Sequence, residues 1–148
     1  IANVEYRKVL RVADQQVEDF SKTNEIENVR SVLCDWYVAM ENHDMEKLAA
    51  ALSDTFILIE HDMLFEGKYL VEMLSREEDS TLVANLHDFH ITVSGDTAWS
   101  THRNSEVFTS PNKEPLELEF LETVVLIKKD GNWLMDRYHA TRLSPAEI

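Results

Sequence analysis

A chain of 148 residues with 14 basic and 28 acidic side chains carries a formal net charge of -14 at neutral pH. This charge repels phosphate backbones and anionic membrane surfaces, so we expect neither nucleic acid nor a membrane as a partner. The length suits one ordinary domain, and the longest apolar runs fall far short of the ~20 residues that span a bilayer.

The single cysteine and the first residue bear on the compartment. Cys34 lies in a helical pattern and is predicted to be a small core residue rather than a redox centre. The chain begins at Ile1 rather than Met, which leaves an earlier leader open. The localisation is therefore unknown from sequence; a cytoplasmic location is favoured and an exported form is the alternative.

The N-terminal third of the chain has helical periodicity. Residues 1–22 carry apolar side chains at helical spacings and are predicted to form an N-terminal helical arm. Asn24 and Glu27 have the spacing of a capping box, which predicts the start of the first core helix. Asp44 is a suitable cap for a short helix after it. The predicted organisation is the arm, residues 1–22, followed by a single domain, residues 23–148.

The rest of the chain changes to the period of strands. The segment "TFILIEH" predicts a strand, and a helix is expected over residues 67–78. Alternating polar and apolar residues then predict four strands, joined by turns at "SGD" and "DG" and by a longer loop at "TSPNKEP". Helices followed by an antiparallel meander indicate the α+β class. Such long strands must curl, and we expect a strongly curved antiparallel sheet wrapped around the N-terminal helices as a cone.

The turns also predict which residues face each other. A tight turn at Asp130 and Gly131 pairs Leu126 with Met135, and continuing that register pairs Glu122 with His139. The turn at Gly95 and Asp96 sets Phe89 opposite His102. Matching the apolar faces of the middle hairpin sets His102 opposite Glu122. The sequence therefore predicts one inner-face cluster, with these members: His102, Asn104, Glu122, Arg137 and His139.

The opposite face of the predicted sheet is rich in apolar residues. A soluble monomer rarely leaves such a surface in water, so we expect a homodimer through this outer face, formed by Trp99, Val125, Ile127 and Tyr138. The alternative is that these are scattered surface hydrophobes covered in part by the N-terminal arm.

The order of elements resembles a known family. The landmarks are Trp36 and Ala39, Asp44, Gly67, "GDTA" over residues 95–98, Thr123, and "DGNW" followed by the pattern W-x-M-x-x-x-H-x-T that contains His139. Over residues 26–143 the chain resembles the nuclear-transport-factor-2-like superfamily, and most closely its SnoaL-like branches of small bacterial domains. The resemblance implies a cone-shaped fold, an internal cavity between sheet and helices, and a homodimer. Its members include isomerases, dehydratases, hydrolases, polyketide cyclases and non-enzymatic modules, so the fold does not name the reaction.

The predicted cluster suggests acid–base chemistry. A carboxylate such as Glu122 in an apolar pocket has a raised pKa, and His102 or His139 could pass a proton near neutral pH. Arg137 could hold an anionic or enolate oxygen. The alternative is a satisfied cross-strand charge pair without chemistry. Two histidines and a glutamate also match a metal ligand set, but no tight spacing supports one, and we expect neither metal nor cofactor.

The functional hypothesis is a cofactor-independent domain that binds a small apolar or amphipathic molecule, as an isomerase, cyclase or dehydratase with catalytic residues Glu122, His139, His102 and Arg137. The predicted ligand-binding residues are Trp36, Tyr37, Met40, Glu60, Phe65, Asn104 and Met135. The alternative is a non-catalytic dimerisation or partner-binding module whose cavity is filled by side chains. Whether the protein is an enzyme is left open by the sequence.

Overall fold

The computed structural model describes the backbone of residues 16–143 and the side chains of residues 21–143. Three helices and six strands follow one another along this part of the chain. In chain order they are α1 (Gln16–Glu41), α2 (Met45–Ala50), β1 (Leu52–Glu60), β2 (Met63–Glu66), α3 (Gly67–Ser75), β3 (Thr81–Ser94), β4 (Thr97–Thr109), β5 (Leu116–Lys129) and β6 (Asn132–Arg142). None of the described helices has the length and apolarity required to span a bilayer.

Helix α1 is longer than predicted. It runs without a break through Asn24, so the predicted helix start at that residue is wrong. No glycine or proline lies between Gln16 and Asn24, and nothing in that segment stops a helix from extending toward the N-terminus. The arm over residues 1–22 lies mostly outside the described residues, and the division of the chain at residue 22 stays a prediction.

The strands form one curved, unclosed sheet with the order β2-β1-β6-β5-β4-β3. Strands β3 to β6 are the predicted antiparallel meander, and α1 packs along β3. Strand β1 pairs in parallel with β6, and the short β2 is an unpredicted addition at the edge. The predicted α+β class and cone-shaped architecture are confirmed.

The core lies between α1 and the concave inner face of the sheet. Val29 and Leu33 of α1 are fully buried against a layer that includes Val124, Leu126 and Met135. Removing this apolar surface from water is the main stabilising term of the fold, at roughly 25 cal/mol per Å². The Trp36 indole N–H donates to the Leu48 carbonyl at 3.2 Å, which joins α1 to α2.

A β-bulge at Asp136 changes the register of the β5–β6 hairpin. The predicted pairs Lys128–Trp133 and Leu126–Met135 are confirmed, but beyond the bulge Val125 faces Arg137, Thr123 faces His139 and Glu122 faces Ala140. One extra residue in a strand moves all later side chains to the opposite face. The predicted Glu122–His139 pair is therefore wrong.

The other two hairpins follow the prediction more closely. His102 faces Glu122 across β4 and β5, as predicted. On β3 the register shifts between His87 and His90, so Phe89 is no longer directly opposite His102. Its ring nevertheless lies 5.1 Å from the His102 ring.

The outer face of the sheet keeps part of its predicted apolar surface. Trp99 is 41% exposed, and Val125 and Ile127 are half-buried. Tyr138 does not belong to this face, because the bulge turns its side chain inward, where it is 1% exposed. A homodimer through the outer face stays a prediction.

Candidate functional site

Strand β4 lines the inner face with polar side chains. Alternation along the strand places Ser100, His102, Asn104 and Glu106 on the same side, and all four are buried. Buried polar groups are costly unless they are hydrogen-bonded, so their partners define the candidate site.

Glu122 is the centre of a hydrogen-bonded array. Its Oε1 lies 3.2 Å from His102 Nε2 and accepts the Tyr138 hydroxyl at 2.5 Å. The Tyr37 hydroxyl lies 2.6 Å from the Tyr138 hydroxyl, and Ser100 Oγ lies 2.9 Å from His102 Nδ1. We call these five side chains the inner array.

One placement of protons satisfies the inner array. The Tyr138 O–H donates its hydrogen bond to Glu122, so the Tyr37 O–H must donate to the Tyr138 oxygen. His102 can then donate from Nε2 to Glu122 while Nδ1 accepts the Ser100 hydroxyl. Burial raises the pKa of both tyrosines well above the usual value, which keeps both phenols protonated as donors.

A second carboxylate, that of Glu106, lies four positions beyond His102 on β4. Asn104 Nδ2 donates to Glu106 Oε1 at 2.7 Å, and Glu106 is 9% exposed. Burial, followed by the charge of Glu122, raises the Glu106 pKa to about 7. A carboxyl group with this pKa can both give and take a proton near neutrality.

A third carboxylate, Glu60, completes a row across the sheet. Glu60 faces Ala140 on β6, Ala140 faces Glu122 on β5, and Glu122 faces His102 on β4. Strand spacings of about 4.8 Å put the Glu60 and Glu122 backbones about 10 Å apart, with only the alanine side chain between them. Burial raises the Glu60 pKa, and the Glu122 charge adds to this effect.

The structure brings together two of the four predicted catalytic residues. Glu122 and His102 are 2% and 1% exposed and are bonded to each other. His139 and Arg137 point to the outer face, both exposed, because of the bulge. Their predicted place beside Glu122 is wrong.

Arg137 instead lines a different cavity. Its Nη1 donates to the backbone carbonyls of Thr55 and Asp136. The cavity has a volume of about 700 Å³ and lies between β1 and the ends of α2 and α3. Its walls mix apolar side chains such as Phe56 and Val71 with both acidic and basic groups. The inner array does not line it.

The predicted ligand-binding residues fall into two groups. Tyr37, Asn104 and Glu60 lie in the inner array or beside it. The other four have packing contacts: Trp36 and Met135 are buried core residues, Phe65 stacks on Tyr69 with 5.9 Å between ring centroids, and Met40 lines a small cavity of about 40 Å³. Ligand binding in the predicted internal cavity therefore stays a prediction.

Three residues of the site were missed from the sequence. Ser100 and Glu106 share the alternation of His102 on β4, and that signal was available to find them. Tyr138 could not be found in this way, because its inward orientation depends on the bulge.

The described side chains offer no evident metal centre. No set of three or more histidine, cysteine, aspartate or glutamate residues within the described part of the chain is placed to hold a metal ion.

Comparisons with known proteins agree with the fold. A family model described as a SnoaL-like domain matches residues 29–145. No curated protein matches the chain.

Several solved structures share the fold. A candidate dehydratase of the NTF2-like family from Streptomyces avermitilis has a TM-score of 0.72 at 17% identity, covering 82% of this chain and 98% of that one. A ketosteroid isomerase-like protein from Erwinia carotovora atroseptica has a TM-score of 0.67 at 17% identity, with coverages of 82% and 98%. A candidate calcium/calmodulin-dependent protein kinase II association domain from Xanthomonas campestris has a TM-score of 0.70 at 15% identity, with coverages of 80% and 87%. At such identities the likeness establishes the fold alone.

Proposed function

The chain belongs to the family of SnoaL-like domains, as the sequence indicated, and we propose that it binds a small apolar or amphipathic molecule at the open end of its cone and transfers a proton through Glu106. The observation that carries this proposal is the position of Glu106, whose carboxyl group is buried and accepts a hydrogen bond from Asn104; burial and then the charge of Glu122 raise its pKa to about 7. A general acid or base works best when its pKa lies near the operating pH.

The burial of the side chains differs from one end of the site to the other and indicates where a molecule would enter. Ser100, His102 and Glu122 are at most 2% exposed, whereas Glu106 is 9% exposed and Glu60 is half-buried. Leu118, which pairs with Glu106 across β4 and β5, is also half-buried. A molecule entering at this end would meet Glu106 and apolar side chains before the inner array.

The inner array has a supporting role in this proposal. Every hydroxyl and ring nitrogen in it has a partner within the array, so none is free to meet a ligand. Its negative member, Glu122, raises the Glu106 pKa, and the two tyrosines and His102 hold Glu122 in place. Glu122 and His102 are therefore proposed as positioning residues, and the reaction class is a cofactor-independent isomerisation, cyclisation or dehydration begun by proton transfer.

Exchange of α-protons tests the proposal. A panel of small cyclic ketones in D₂O would be followed by proton NMR with the wild-type protein, Glu106→Gln and Glu117→Gln. Glu117 is an exposed glutamate on the outer face of β5 and is the charge-matched control. We expect the wild type and the control to accelerate exchange and Glu106→Gln to lose about a hundredfold or more of that rate.

The pH profile gives the second readout of this experiment. The rate should rise as Glu106 ionises, around pH 7. Exchange that is no faster with the wild type than in buffer, over the whole panel, would count against proton transfer by this domain.

A second candidate function is the non-catalytic module. It is favoured by the fully packed interior, where Trp36 is 4% exposed and Met135 is fully buried, and by the position of the 700 Å³ cavity outside it. The ketone exchange experiment separates the two candidates. Faster exchange with the wild type than with Glu106→Gln would exclude the non-catalytic module, whereas a folded wild type that accelerates no exchange over the whole panel would favour it.

The predicted homodimer is part of the proposal. Trp99, Val125 and Ile127 would form its centre, without Tyr138. The support is the exposed apolar surface of the outer face, which includes Leu121 at 41% exposure. Light scattering on the wild type and on Trp99→Glu tests it, and a monomeric wild type would refute it.

A further inference from the structure

Three carboxylates of the inner face form no ion pair with a lysine or arginine of the described residues. Glu60, Glu106 and Glu122, which we call the acid group, lie on β1, β4 and β5 and act on one another electrostatically. Among the described residues, no lysine or arginine forms an ion pair with any of them; the only salt-bridge contact is from His102 to Glu122. A cation bound beside these carboxylates would favour their ionised form.

A second observation points to a missing hydrogen-bond donor at the same place. Asn104 is fully buried, its Nδ2 donates to Glu106, and its Oδ1 has no partner among the described residues. Turning the amide over would set Oδ1 against the Glu106 carboxylate and leave Nδ2 without an acceptor. The orientation is therefore fixed, and the oxygen requires a donor that the described part of the chain does not provide.

The acceptor atoms at this place indicate the class of ligand. Glu60 and the second oxygen of Glu106 have no hydrogen-bond donor among the described residues, and the Asn104 oxygen is also an acceptor. The nearby phenols of Tyr37 and Tyr138 are already engaged. A primary ammonium has three N–H donors and a positive charge, which match three acceptors and their negative charge.

We propose that the acid group and Asn104 bind the ammonium head of a primary amine whose apolar remainder lies against the half-buried side chains at the open end of the cone. Leu118 and Ala84 flank Glu106 on the neighbouring strands and supply that apolar contact. This inference rests on the proposed function, since it names the ligand class for the same open end.

Other ligand classes fit less well. A carboxylate or phosphate would meet three like charges. A metal ion would need a set of ligands that the described side chains do not present. A neutral alcohol could donate to Asn104 but would leave the acid group uncompensated.

Binding of the amine should depend on pH. Glu106 must be ionised to bind an ammonium, so affinity should rise as the pH passes through about 7. Glu122 and Glu60 act on Glu106 electrostatically, and the charge of Glu106 in turn raises the Tyr37 pKa. His61 and Arg142 act in the opposite sense, since both lower the Glu60 pKa.

Calorimetric titration with three six-carbon probes tests the proposal at pH 8: hexylammonium, hexanol and hexanoate. We expect hexylammonium to bind at least tenfold more tightly than hexanol and hexanoate not to bind. Glu106→Gln should weaken hexylammonium binding at least tenfold, and the exposed control Glu117→Gln should leave it unchanged. In the wild type, a second titration at pH 5.5, where Glu106 is mostly protonated, should show the same weakening of hexylammonium binding.

The outcomes separate this proposal from the proposed function. Equal binding of hexanol and hexylammonium would refute the ammonium site. It would not bear on proton transfer by Glu106, which the ketone exchange experiment tests separately. No binding of any probe would refute it as well. Binding that survives in Glu106→Gln and disappears in 0.5 M salt would show unspecific attraction to the acidic surface, which also overturns the proposal.

Discussion

The two halves of the β5–β6 hairpin differ in what they bury. On the turn side of Asp136, Trp133 and Met135 enter the apolar core, whereas on the far side Tyr138 and Ala140 enter the polar part of the interior. Asp136 accepts hydrogen bonds from the hydroxyls of Ser53 and Thr55 on β1. Burial alone would raise the Asp136 pKa, but these hydrogen bonds lower it overall. Asp136, held by these hydrogen bonds, thus divides β6 into a half that packs in the apolar core and a half that contributes to the candidate site.

Deleting Asp136 should have the largest effect on this strand. The deletion lets Arg137 follow Met135 directly, so regular alternation keeps Arg137 outside and Tyr138 inside, but β6 loses its bulge and its hydrogen-bonded tether to β1. Because two hydroxyls of β1 lose their acceptor and β6 is shortened against β1, we expect a loss of about 3 to 5 kcal/mol in unfolding free energy, measured by chemical denaturation followed by circular dichroism. Asp136→Asn is the control that keeps the bulge. A deletion variant as stable as the control would show that the bulge does not stabilise the sheet.

Glu106→Gln tests the far half of the interior by its pH dependence. The folded pKa is about 7 against an ordinary value of 4.5, so between these values the folded protein binds more protons than the unfolded chain. Wild-type stability should therefore fall by about 3 kcal/mol as pH rises through this range, and the substitution should remove that fall. Denaturation at pH 4 and pH 8 measures the difference. The same pH slope in both proteins would contradict the buried position of Glu106.

Tyr138→Phe should have a smaller effect, because it leaves the bulge in place. The substitution removes one donor from Glu122 and leaves the Tyr37 hydroxyl without its acceptor. Losses of this kind typically cost about 1 to 3 kcal/mol. Denaturation at neutral pH measures it, with Tyr69→Phe, an exposed tyrosine, as the control. A neutral result would mean that water replaces the hydroxyl.

His139→Ala should have the smallest effect. The side chain is exposed on the outer face one residue beyond Tyr138, and substitutions at such positions usually change stability by no more than about 0.5 kcal/mol. The same denaturation series measures it. A loss above 1 kcal/mol would place His139 in the interior and invalidate the contrast between the two faces.

Much of the fold followed from local patterns. The "DG" and "SGD" turns fixed the start of each tight hairpin, and the first pairs beyond each turn, such as Lys128 with Trp133 and Val93 with Ala98, are those that alternation predicts. The matching of apolar faces was enough to set His102 opposite Glu122. The start of α1 was misjudged because a capping pair can also occur inside a helix.

The period-two alternation of the strands, which depends only on backbone geometry, determined the sheet, its inner face and the pairing of His102 with Glu122. The residues that complete the site were decided by the tertiary structure. The bulge at Asp136 is held by Ser53, 83 positions earlier in the chain, and by Thr55. Such a contact leaves no local pattern around Asp136, because the partner strand is brought beside it only when the sheet assembles.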